Sequence, residues 1–220
     1  MNTIENELKV NLMEYHNIIE KAFSNYWRVY LINGKYESNK FLNLLSTPRD
    51  VFIKFCRENK LNYSSVAGII LEWTISHFLK AGLSVTEKDK IACVINRHPI
   101  TFRWKEKGNK QVNLDIVIKS IKTKKLYYAV EVKTNFEDGF KKFRNEEKVI
   151  YHNRQKSFKH FKYYYLSLSL PPRNLQEKSK SDINTLIRRK ELYILNENNG
   201  DFPGVEKFLK SIVESIFNIK

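Results

Sequence analysis

Apolar positions recur at helical spacing through the first third of the chain. Leu8, Leu12, Tyr15, Ile19, Phe23 and Trp27 fall on one face of a helix predicted over residues 4–31, and Asn33-Gly34-Lys35 breaks it. Thr47-Pro48 has the order of a cap followed by a first-turn proline, which predicts a second helix running to about Lys60. A third is predicted over Val66–Lys80, with Ser64 or Ser65 as its cap and Gly82 as its stop. It is apolar around most of its circumference, the mark of a buried helix. The period then changes. Ile91–Ile95, Ile100–Trp104, Val112–Ile118 and Leu126–Lys133 are β-branched and aromatic runs that read as strands. Polar turns over Lys105–Lys110 and Ile121–Lys125 separate the last three. A helical stretch, a buried strand over Tyr163–Leu170 stopped by Pro171-Pro172, a strand over Glu191–Leu195 and an amphipathic helix over residues 201–220 complete the pattern. The pattern by itself predicts a mixed α/β chain.

Two of these strands carry acids where strands rarely do. Asp115 interrupts Val112–Ile118, and Glu131-Val132-Lys133 ends the next run. Side chains alternate across a strand, so Glu131 and Lys133 share one face while Val130 and Val132 share the other. If the aliphatics face a core, two carboxylates and an ammonium converge on one side of a hairpin. Mg2+ is a hard cation held through one or two carboxylates plus water and phosphate oxygens. Such a pair can hold it against a phosphodiester, with the Val132 carbonyl as a further oxygen and Lys133 beside the developing charge. Lys133 could equally position or deprotonate the attacking water. The plainer alternative is the wet face of an ordinary antiparallel hairpin.

Glu72 is a second anomaly, a carboxylate in the middle of the apolar third helix. Its neighbours one turn away are Gly68, Ile69, Ile75 and Ser76, none of them a cation. An acid in such surroundings finds a partner or becomes neutral. Snorkelling at the helix edge, or satisfaction by Lys133, is the alternative.

The arrangement Asp115 … Glu131-Val132-Lys133 resembles the PD-(D/E)xK nuclease superfamily, with Leu114 where the motif has proline. The resemblance spans roughly residues 62–170. It implies a restriction-endonuclease-like core, a central mixed β-sheet flanked by helices, over residues 62–220, with residues 1–61 as an N-terminal helical extension. It also implies catalysis by Asp115, Glu131 and Lys133. Mg2+, or Mn2+ in its place, would be held by Asp115, Glu131 and the Val132 carbonyl. The Glu72 helix looks like the helix on which several restriction endonucleases carry a further acid, which makes Glu72 a third catalytic and metal-binding group. Within the superfamily the chain has the size of a type II restriction endonuclease subunit. Such an enzyme works as a homodimer, because two-fold symmetry matches a palindromic site. A structure-specific nuclease such as a junction resolvase is the runner-up, and a non-cutting nucleic-acid binder is the reading from another class.

Charge adds a DNA path. The net charge is +15 over 220 residues, and residues 139–190 hold fourteen cations against four acids. That segment mixes cations with aromatics and amides. Lys141, Lys142, Arg144, Arg154, Gln155 and Lys156 are the candidates for contacting DNA. For any one of them, a solvated helix face is the alternative. Cys56 and Cys93 offer no metal quartet or disulfide framework, which points to reduced residues of a cytoplasmic protein. No P-loop or GxGxxG appears, so no nucleotide cofactor is expected. No apolar run is counted that approaches the roughly 20 residues of a membrane span.

Overall fold

The structure, a computed structural model, describes residues 2–104, 108–137, 140, 141, 143, 144, 161–196 and 201–220. The chain divides into two compact units, Met1–Asp89 and Lys90–Lys220. The third helix lies in the first of these units with the first two. Its apolar surface is spent on its helical neighbours.

The first unit is three helices: α1 (Asn2–Asn33), α2 (Ser38–Glu58) and α3 (Tyr63–Val85). α2 starts nine residues before the predicted Thr47, and Pro48 lies inside it. The reason is a stripe of buried residues, Phe41, Leu45, Pro48, Phe52 and Cys56, that runs unbroken through the proline. An interior proline costs about 3 kcal/mol, which this packing offsets. Locally, the Asn43 carbonyl accepts from the Thr47 hydroxyl at 2.7 Å and from that of Ser46 at 3.3 Å. Thr47 thus bonds backward within the helix and does not cap its start. α3 also outruns its predicted stop. Thr86 directs both its N–H and its hydroxyl to the Gly82 carbonyl, and Glu87, at φ 57°, turns the chain where glycine was expected to.

Aromatic rings fill this unit. Phe78 of α3 meets Phe23, Tyr26 and Trp27 of α1 and Phe41 of α2, and the Trp27 indole donates to the Phe78 carbonyl at 3.0 Å. By length and composition Val66–Val85 could cross a membrane, a span the sequence reading does not count. However, 72% of it is buried within the protein.

His77 on α3 is buried, and its Nε2 shares a short hydrogen bond with His16 Nδ1 on α1. Burial first, then the His16 and Lys80 charges, push the His77 pKa down to about 4. His77 thus stays neutral in the fold, whereas the unfolded chain takes up a proton below about pH 6.5. Stability of this unit should fall as pH drops from about 6.5 to about 4, by up to about 3 kcal/mol, and then level off. Urea unfolding at pH 7 and pH 4.5 checks this, and equal midpoints would contradict it.

The second unit is a five-stranded mixed sheet in the order β1 (Ala92–Trp104), β2 (Gly108–Ser120), β3 (Leu126–Lys133), β4 (Lys162–Ser167), β5 (Leu192–Ile194). The first three strands are antiparallel, and β4 and β5 join in parallel. β1 is a single strand where two are predicted. Pro99 is accommodated because β1 lies at the sheet edge, where a missing N–H need cost no ladder bond. The exposed turn after β2 closes through Ser120 N–H to the Lys125 carbonyl at 2.8 Å, with Lys124 at φ 58°.

Parallel strands need both faces covered, and both are. Ala129, Tyr163, Tyr165, Leu192 and Ile194 form a cluster with Phe136, Phe140 and Phe143 and with Ile183 and Leu186 of α4 (Glu177–Arg188). Tyr164 and Tyr193 contact each other, and Tyr193 meets Phe208 of α5 (Val205–Phe217). This is why Tyr163–Leu166 is buried without a break. Among the described residues the protein is α/β, with five helices and a mixed five-stranded sheet.

Candidate active site

Asp115 sits where two ladders change. The last rung between β2 and β3 at this end is Ile116↔Val130. Beyond it the Val132 N–H donates to Asp115 Oδ2 at 3.0 Å. A carboxylate thus takes the donor that a backbone carbonyl would take in a continued ladder. In an extended strand the N–H and C=O of one residue project to the same side. The Val132 carbonyl therefore lies on the strand edge that Asp115 faces.

Lys133 joins the acids. Its Nζ is 2.7 Å from Asp115 Oδ2 and 2.7 Å from Glu131 Oε1. Glu131 has a side chain 0% exposed, against 15% for Asp115 and 23% for Lys133. A fully buried carboxylate is not part of a wet hairpin face, so that alternative fails on burial. The face is polar, and it is covered. Tyr163 adds a hydroxyl donated to Glu131 Oε2 at 3.3 Å.

Burial acts against the Lys133 charge, but the Glu131 and Asp115 carboxylates and their hydrogen bonds outweigh it. The net effect holds the ammonium pKa above its ordinary value. Lys133 is therefore a charged donor, poorly suited to removing a proton from water at neutral pH.

The backbone after Lys133 is fixed. Leu168 N–H donates to the Lys133 carbonyl at 3.1 Å, Phe136 N–H to Ser169 Oγ at 2.7 Å, and the Tyr165 hydroxyl to the Phe136 carbonyl at 2.8 Å. Side chains held from both ends of a strand keep their geometry when a substrate arrives.

Tyr163 is the contributor that the sequence reading misses. Its signal lay in the register. Tyr163 pairs with Ala129, and Glu131 is two residues further along β3 on the same face. Without knowing that β4 lies parallel beside β3, the run Tyr163-Tyr164-Tyr165 reads only as a buried strand.

Glu72 is buried at 7% exposure in the middle of α3 and belongs to the helical unit, whereas Asp115, Glu131 and Lys133 belong to the sheet unit. Among the described residues, no group of three or more His, Cys, Asp or Glu side chains gathers as a metal-ligating set. The sheet site offers two carboxylates and a backbone carbonyl.

No family model matches the chain, and no curated protein is similar to it. The residues alone must carry the functional reading.

Of the predicted DNA contacts, Lys141 is exposed, while Lys142, Arg154, Gln155 and Lys156 lie outside the described residues. Arg144 has other commitments. Its guanidinium pairs with Asp182 of α4, donates to Ser179 Oγ at 3.3 Å and stacks near Phe140. Arg144→Ala should therefore cost about 1–2 kcal/mol of stability and leave the salt dependence of DNA binding unchanged. A flatter salt dependence with unaltered stability would instead make Arg144 a DNA contact.

Proposed function

We infer that the chain is a Mg2+-dependent endonuclease that hydrolyses phosphodiester bonds of double-stranded DNA. The observation that carries this reading is the convergence of Asp115 and the fully buried Glu131 on one cation, the Lys133 ammonium. The ammonium stands in for what a metal would have to do, since a carboxylate oxygen from each strand reaches a common positive centre. Two carboxylates against one ammonium also leave the cluster one negative charge in excess. An all-oxygen donor set of Asp115, Glu131 and the Val132 carbonyl suits Mg2+ or Mn2+ better than a softer metal.

Bound there, Mg2+ would supply polarisation of the scissile phosphate and acidification of a water. The rest is the work of the chain. Asp115 is oriented by the Val132 N–H, and Glu131 by the Tyr163 hydroxyl. Lys133 stays charged and donates to phosphate oxygens as negative charge builds on them. Lys141 and Lys142 hold the DNA backbone.

Among enzymes of this chemistry, a restriction-endonuclease-like core and a type II restriction enzyme fit best, acting as a cytoplasmic homodimer on a specific sequence. The test is to incubate the protein with long phage DNA and Mg2+ and to sequence the fragment ends. Discrete fragments sharing one end sequence are expected. Cleavage confined to branched substrates would make it a structure-specific nuclease. Binding without cleavage at any Mg2+ or Mn2+ concentration would leave a nucleic-acid binder.

A further inference from the structure

Five residues other than glycine have positive φ among the described residues. Lys60, Glu87 and Lys190 each lie just past the end of a helix, and Lys124 lies in the turn between β2 and β3. Those are places where a chain reverses and left-handed backbone is common. Arg97 is different. It has φ 52° in the interior of the thirteen-residue strand β1.

No residue is inserted there to explain it. The register is Asn96↔Ile116 on one side of Arg97 and His98↔Leu114 on the other, so the ladder resumes without a shift. A bulge would have changed the count. One rung alone departs from the ladder, and the residue across it is Asp115. Backbone strain at a single non-glycine position persists only when its surroundings over-determine it, and such positions cluster at functional sites. Glycine would occupy this conformation without the steric cost, yet the chain places an arginine here.

We propose that Arg97 is a phosphate contact of the Asp115–Glu131–Lys133 site, holding the DNA strand beside the bond that is cut. The proposal rests on the nuclease reading for its catalytic part. The rungs on either side, Asn96↔Ile116 and His98↔Leu114, bracket Arg97 opposite Asp115, the first acid of the site. Arg97 is exposed and lies on the edge strand, where a polyanion can reach it. A planar guanidinium also matches the oxygens of a phosphate in a way that a lysine does not. The Asp115–Glu131–Lys133 cluster carries a net negative charge, and an approaching phosphodiester needs a cation beside it that is not itself one of the catalytic groups.

The test uses the full chain with Arg97→Ala, Arg97→Lys and Arg97→Gly. Each variant is assayed for single-turnover cleavage of long duplex DNA in Mg2+, for the salt dependence of binding to the same DNA without metal, and for Tm. Arg97→Ala and Arg97→Gly should cleave about 10²-fold more slowly. Both should lose about 0.9 from the slope of log K against log salt. Arg97→Lys should recover the slope and only part of the rate. Arg97→Gly should also raise Tm, because it relieves the left-handed backbone. A glycine variant with raised Tm that cleaves and binds like the wild type would overturn the proposal, leaving strain without function. If the wild type fails to cleave at all, the nuclease reading falls by itself, and the salt slope alone then decides Arg97. A loss of about 0.9 keeps the phosphate contact, and an unchanged slope removes it.

Discussion

Glu131→Gln is expected to slow DNA cleavage by about 10³-fold while the protein stays folded. The amide matches the carboxylate in shape and can keep the hydrogen bond from the Tyr163 hydroxyl. What it loses is the negative charge that, with Asp115, faces a single cation. Asp115→Asn should do the same, because an amide oxygen can still accept from the Val132 N–H and keep β2 and β3 in place. The measurement is single-turnover cleavage at saturating Mg2+, with circular dichroism to confirm the fold. A rate within threefold of wild type for either variant would remove that residue from the chemistry. Equal losses in both would point to one shared function for the two acids.

Lys133→Met should have the largest effect on stability. Without the ammonium, Asp115 and the buried Glu131 face each other with no cation between them. Removing one partner of a buried ion pair costs about 3–5 kcal/mol, and the lower end applies here because Lys133 is 23% exposed. Thermal unfolding in EDTA should show a large drop in Tm. Millimolar Mg2+ should recover part of it, since a metal that binds only the folded state stabilises it by mass action. Cleavage should remain lost, because the donor aimed at the phosphate is gone. A Lys133→Met protein as stable as wild type in EDTA would mean that the acids are screened by other groups.

Much of the site was legible in the sequence because it depends on alternation along single strands. Leu126–Lys133 was predicted to the residue, since a polar turn precedes it and the period of two fixes which face Glu131 and Lys133 share. The grouping of Asp115 with them needed only the hairpin. What alternation cannot show is a neighbour supplied from far along the chain, which is why Tyr163 was missed.

The other differences have similar causes. Pro48 carries the same signature whether it opens a helix or sits inside one, and only the buried stripe from Phe41 to Cys56 tells the two apart. The strand predicted to end at Ile95 and the one predicted to start at Ile100 are a single strand, because the tolerance of an edge strand for Pro99 is set by the sheet and not by the strand itself. α4 was not predicted, because Ile183, Leu186 and Ile187 are few apolar positions in an otherwise polar segment. The unit boundary after Asp89 is invisible along the chain, because α3 is apolar enough to join either unit.

The central claim is that Asp115 and Glu131 hold a divalent metal on the sheet unit, and Mn2+ binding tests it most directly. Mn2+ can be titrated into the wild type and into a protein carrying both Asp115→Asn and Glu131→Gln, with free Mn2+ read by electron paramagnetic resonance. The wild type should take up Mn2+ saturably, Mg2+ should displace it, and the double variant should lose that uptake while remaining folded. Equal Mn2+ uptake by the two proteins, or none by the wild type with DNA present, would contradict the claim.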